Sequence, residues 1–145
     1  MKSSLQLGLK HELVYRVRTD KTVPNVFAEA ELFRDMPPVF ATAYMVGLIE
    51  WACMEAMAPH LDLGEQSVGT TINVSHTAAT PPGFDVRVEA VLERVEGRRL
   101  GFRVKASDDM GAIGEGTHER FVIDRERFMQ RVAEKSKSRA PAGTA

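Results

Sequence analysis

The segment FATAYMVGLIEWACMEAMAPHLD, residues 40–62, constrains the whole chain. Thr42, Met45, Val46, Ile49, Cys53, Ala56 and Met57 recur at the 3.6-residue period of a helix, while the opposite side, which holds Tyr44 and Trp51, is hardly more polar. A helix that is apolar nearly all round must be covered nearly all round. The rest of the chain therefore has to wrap it, and a second subunit is the natural source of any cover still lacking. Gly47, in its middle, costs about 1 kcal/mol relative to alanine, which makes sense where another backbone or a ligand comes close.

Strands supply the wrapping. HELVYRVRTD alternates Leu13, Tyr15 and Val17 against Val14, Arg16 and Arg18. FDVRVEAVLERV turns Phe84, Val86, Val88 and Ala90 inward, LGFRVKAS repeats the pattern with Leu100, Phe102, Val104 and Ala106, and VEGRR is the turn between them. TTINVSHTAATPPG and AIGEGTHERFVID add two more strands, the latter loosened by Gly111, Gly114 and Gly116. Between the first strand and the helix, residues 21–38 mix prolines, acids and phenylalanines around at most one helical turn, as lids do. From Arg125 a short charged helix and a frayed tail are expected. One strand, a lid, one long helix and four antiparallel strands make an α+β architecture, a hot-dog fold with the sheet wrapped around the helix. The domain is expected over residues 1–137, with a flexible tail over 138–145. The open sheet edge predicts a homodimer.

Composition narrows the function. A chain of 145 residues with a formal net charge of -1 has no basic field of the kind nucleic acid or an anionic membrane attracts, so neither is expected as a partner. The single cysteine, Cys53, excludes an intrachain disulfide and reads as a small buried hydrophobe. The N-terminal MKSSLQLGLKHELVYRV has no apolar signal core, and the reading is a cytoplasmic protein. No phosphate loop, metal-ligand spacing or dinucleotide fingerprint occurs, so no metal and no cofactor are expected.

Three residues then stand out. His76 continues the parity of Thr70, Ile72 and Val74, which places it on the inward face just before TPPG ends the strand. It is either a core histidine satisfied by a carbonyl or an acid–base group at a rim. Glu50 has no lysine or arginine three or four residues away on its helix; it either reaches water past the apolar stripe or stands against apolar walls with a raised pKa, as a general base would. Thr42 stands at the helix start as an N-cap, next to unpaired amides suited to an oxyanion. Thr42 and Glu50 are eight residues apart, about 12 Å along a straight helix. His76 or the substrate must therefore bridge them, unless Thr42 lies before the regular helix or one member comes from the other subunit. In GTHER, His118 and Arg120 share a strand face, and Arg120 either grips a phosphate or carboxylate or is an exposed charge paired with an acid.

The blocks PPVFATAYMVGLIEWACMEAMAPHL, SVGTTINVSHTAATPPG, VEGRRL and GTHER, in this order over most of residues 39–123, closely resemble the fluoroacetyl-CoA thioesterases and related hot-dog acyl-CoA thioesterases. The resemblance implies a homodimer that hydrolyses a short acyl-CoA to the acid and free CoA, with coenzyme A present only as part of the substrate. It implies Thr42, Glu50 and His76 as the catalytic set, Gly69 lining the acyl pocket and Arg120 near the substrate. In the lid it sets Met36 where the fluoroacetyl-CoA enzymes carry a pocket-closing phenylalanine, and leaves Phe33 as the candidate to supply that ring. The expected chemistry has His76, oriented or assisted by Glu50, activating Thr42 or a water; a direct attack by Glu50 is the mechanistic alternative. A hydroxyacyl thioester dehydratase and a non-catalytic acyl-CoA-binding module are the rival functions.

Overall fold

Strands β3 (Asp85–Glu96) and β4 (Arg99–Asp108) form the dry centre of the sheet. Val86, Val88, Ala90 and Leu92 from one, and Leu100, Phe102, Val104 and Ala106 from the other, are almost fully withdrawn from water. Their strict alternation leaves only one way to face the core, because a slip of one residue would turn every apolar side chain outward. Glu96 pairs with Arg99 across a two-residue turn, and Gly97 there takes φ +61°, a conformation glycine reaches without steric cost.

The computed structural model describes residues 1–140. Around the central pair lie strands β1 (Lys10–Arg16), β2 (Glu65–Val74) and β5 (Gly111–Asp124), giving one antiparallel sheet in the order β1-β3-β4-β5-β2. Helix α2 (Thr42–Met57) lies against it; a short helix α1 (Glu31–Arg34) precedes α2, and helix α3 (Arg125–Lys137) follows β5. Asp124 caps α3 by accepting from the Arg127 amide at 3.0 Å. The tail expected over 138–145 lies outside the described residues from 141 on. Among the described residues no helix is long and apolar enough to cross a membrane.

The buried stripe of α2 is Met45, Leu48, Ile49, Ala52, Cys53, Ala56 and Met57. This corrects the expected stripe at its first half: Leu48 and Ala52 face the sheet, while Thr42 is exposed and Val46 only partly covered. Within one chain the helix is covered on one side, since Trp51 and Met54 remain 49% and 48% exposed.

Strand β2 departs furthest from the sequence reading. It begins at Glu65, ends at Val74, and lies at the sheet edge beside β5, with a register slip between Gly69 and Thr71. The bulge breaks the simple parity, and Ile72 is 42% exposed. His76 therefore lies beyond the strand, although the amides of Ser75 and Thr77 still donate to the Glu115 and Ile113 carbonyls and pin the chain to β5. Gly114 and Gly116 of β5, read from sequence as loosening the strand, serve this pinning. A Cβ at Gly114 would stand 2.1 Å from the Ser75 carbonyl oxygen, and one at Gly116 would stand 2.0 Å from that of Asn73.

The lid between β1 and α2 is tied at its base, where Thr22 bridges to Phe40 and the Val23 amide donates to the Val39 carbonyl. Further out, the rings of Phe27 and Phe33 sit 5.5 Å apart, and Leu32 and Met36 are 85% and 48% exposed.

Candidate active site

Helix α2 starts at Thr42, and Ala41, with extended φ −76° and ψ 141°, is its N-cap. Thr42 is thus the first helical residue, not the cap, and its hydroxyl is free for other work. It meets His76 Nδ1 at 2.7 Å. The amides of Tyr44 and Met45 both donate to the Ala41 carbonyl at 3.1 and 2.9 Å, which leaves the amides of Thr42 and Ala43 at the open end of the helix. Burial pushes the His76 pKa below its ordinary 6.5, only partly offset by the Ala78 backbone, so the ring is neutral at neutral pH. Its Nε2 is buried without a hydrogen-bond partner among the described residues. A neutral imidazole with its proton on Nε2 presents the Nδ1 lone pair to Thr42, and the hydroxyl donates.

Two turns further along α2, Glu50 reaches water, as one reading had it, and meets an arginine in place of the apolar walls of the other. Arg120 Nη1 donates to Glu50 Oε2 at 2.8 Å; the arginine side chain is 3% exposed and the glutamate side chain 40%. Glu50 has no cation within a turn of its own helix because its partner comes from β5, 70 residues away. The reading of Arg120 as an exposed charge paired with an acid is corrected in one respect: it pairs with an acid, but as a buried group. Its Nε donates to Ser67 Oγ at 2.8 Å, its Nη2 to the Ser67 carbonyl at 2.9 Å, and its Nη1 also faces His118 Nε2 at 3.1 Å. Gly69 closes the cluster, because a Cβ there would lie 2.9 Å from Glu50 Oε2 and 3.2 Å from His118 Cε1. Val46, Glu50, Gly69, Thr71, Ile72 and His118 line a cavity of about 210 Å³. A larger hollow of about 600 Å³ runs beside Trp51, Met54 and Leu63 and reaches Ser67.

The profile of the family described as fluoroacetyl-CoA-specific thioesterase matches residues 19–126. The chain belongs to the fluoroacetyl-CoA-specific thioesterase family. A fluoroacetyl-CoA thioesterase of Streptantibioticus cattleyicolor is 50% identical to it over 143 residues, 99% of this chain and 100% of that protein. A crystal structure of a fluoroacetyl-CoA-specific thioesterase variant in complex with fluoroacetate and CoA is similar with a TM-score of 0.84 at 52% identity, over 86% of this chain and 99% of that one. A thioesterase-superfamily member from Thermus thermophilus is 31% identical with a TM-score of 0.81, over 93% of this chain and 98% of that one.

Within this family member the five expected site residues fall into two groups. Thr42 and His76 meet at the helix start, Glu50, Gly69 and Arg120 meet at the bulge of β2, and no hydrogen bond described in the single chain joins one group to the other. Phe33 packs on Phe27, Met36 points outward, and neither lines the Glu50 cavity. Ser67 and the Thr71 carbonyl, which hold Arg120 and His118, were not foreseen. The lack of a cation within a turn of Glu50 on α2 was a signal that a distant one exists, but nothing in the sequence marks Ser67. Cys53 is the inert thiol expected, its pKa pushed up to about 12 by burial.

Proposed function

We propose that the chain is an acyl-CoA thioesterase that works as a homodimer, converting a short acyl-CoA and water into the carboxylic acid and free CoA, with fluoroacetyl-CoA as a favoured substrate. The observation that carries this reading is the 2.7 Å contact between an exposed helix-start hydroxyl and a histidine kept neutral by burial. The acyl carbonyl is held at the first amides of α2, where the helix dipole favours the developing oxyanion. His76 Nδ1 takes the Thr42 proton as Oγ1 attacks the carbonyl carbon, and the thiolate leaves with that proton as free CoA. A water then attacks the acyl-threonine, a base takes its proton and returns one to Thr42 Oγ1 as the acyl–oxygen bond breaks, and the acid is released.

Glu50 is the base for that water. Arg120 occupies Oε2, so the other oxygen is available, and the side chain reaches solvent. About 12 Å of helix separates Thr42 from Glu50. We therefore assign the two groups to opposite protomers, with Thr42 and His76 of one facing Glu50 of its partner. The unpaired edge of β2 and the exposed Trp51 and Met54 beside it support a partner on this side. Thiol release from acetyl-CoA and fluoroacetyl-CoA tests the function. Faster release from fluoroacetyl-CoA is expected; equal rates remove the fluoroacetyl preference, and loss of water from a hydroxyacyl-CoA without thiol release would make the protein a dehydratase.

A further inference from the structure

His118 has no part in the chemistry described so far, yet it is 2% exposed and both of its ring nitrogens are engaged. Nδ1 lies 2.8 Å from the Thr71 carbonyl, an acceptor only, so the ring proton must sit there. Nε2 is then a lone pair, and it faces Arg120 Nη1, a donor only, at 3.1 Å. The two contacts admit one state of the ring: neutral, with the proton on Nδ1. In that state Nη1 gives one hydrogen to His118 and the other to Glu50 Oε2, while Ser67 holds Nε and Nη2. The guanidinium plane is fixed from three sides, and the fourth aims at the carboxylate.

We propose that His118 is a positioning residue for hydrolysis, acting as an obligatory neutral acceptor that holds Arg120 so that Glu50 is presented to the attacking water. A proton added at Nε2 would set an N–H and a positive charge against the guanidinium and push it off Glu50. Burial, followed by Arg120, disfavours that proton; the Thr71 carbonyl, Glu50 and Glu119 favour it, and burial prevails. Gly69 belongs to the same device, since any side chain there would press on Glu50, His118 and Arg120 together. The inference rests on Glu50 acting as proposed above, and the test separates the two.

Nitrogen NMR of histidine-labelled protein, with His118 assigned by its absence in His118→Gln, reads the tautomer directly. A protonated Nδ1 and a bare Nε2 are expected between about pH 6 and 8, the range in which an ordinary histidine titrates; an imidazolium or the reverse tautomer overturns the proposal. His118→Leu should lower kcat by about tenfold or more with KM within about twofold, and His118→Gln, whose carbonyl can accept from Nη1, should recover most of the loss. A folded His118→Leu with native kcat, or a Gln variant no better than Leu, also overturns it. If Leu does not fold, the tautomer and the Gln variant still decide. Should Glu50→Gln keep full turnover, the reading beneath the inference fails and takes it along; if Glu50→Gln is impaired while His118→Leu is not, the inference alone fails.

Discussion

The two halves of the candidate site are built on opposite principles. Around Glu50, five residues from α2, β2 and β5 lock one another, and a buried cation sits at the centre. Around Thr42 there is one hydrogen bond, to a histidine in an irregular segment past the end of a strand. The first half is rigid because an unsatisfied buried guanidinium would be costly, so every neighbour is committed to it. The second is sparse, and its groups have spare valence for a substrate. A preorganised half that holds a carboxylate and an open half that offers a hydroxyl and an imidazole suit the two-step acyl transfer proposed above.

The contrast is sharpest in how each half responds to mutation. His76→Ala should cut turnover by about a hundredfold or more, the usual scale for an acid–base group, while thermal unfolding stays close to wild type because only one bond is lost. A folded variant with near-native turnover would discard its role. Glu50→Gln should lose turnover on a similar scale and also destabilise the fold. It leaves Arg120 buried beside neutral partners, at a cost of about 2–3 kcal/mol, less than the 3–5 typical of a broken buried pair because the carboxylate end reaches water. Arg120→Met should lose less stability, since the carboxylate it abandons can turn to solvent; denaturant titration of the two variants checks the order, and the reverse order would mean that the arginine is not the buried partner. Gly69→Ala should reduce kcat by about ten- to a hundredfold and lose about 1–3 kcal/mol of stability, because the new methyl meets both the carboxylate that Arg120 holds and the fixed ring of His118.

Smaller effects come from pH and from the lid. His76 and His118 are both held below their ordinary 6.5 in the folded chain, so the unfolded chain binds protons more readily. Their contribution to stability is complete above that value and is lost as pH falls from it towards the lowered pKa values. Turnover should follow the same direction, with an acid limb below 6.5; urea midpoints and kcat measured across that range check both. Met36→Phe should move stability by no more than about 0.5 kcal/mol, since the side chain is exposed, and any change should appear in the ratio of fluoroacetyl to acetyl turnover.

What the chain reveals unaided follows the same division. The alternation in β3 and β4 is a local pattern enforced by burial and plain in the sequence, whereas α2, apolar nearly all round, shows that it is a helix but not fully which side meets the sheet. His76 was read as part of a strand face because Thr70, Ile72 and Val74 share its parity. The bulge after Gly69 and the strand end at Val74 depend on how β2 meets β5, and local sequence does not carry that. Thr42 was read as a cap because threonine favours that place; its hydroxyl is instead taken by His76, and Ala41 becomes the cap. The isolation of Glu50 on its helix was legible, but its pairing with Arg120 spans 70 residues and emerges only when β5 lies beside the helix. The candidate residues were therefore nameable one by one, while their grouping was not.

That grouping is tested most directly by mixing two inactive variants. Thr42→Ala and Glu50→Gln are unfolded and refolded together so that protomers exchange, and CoA release is measured against wild type. If each site joins Thr42 and His76 of one protomer to Glu50 of the other, half of the dimers are mixed and each mixed dimer holds one intact site, so about a quarter of wild-type activity returns. If the whole site lay within one chain, every site would carry a defect and the mixture would stay as inactive as its parts.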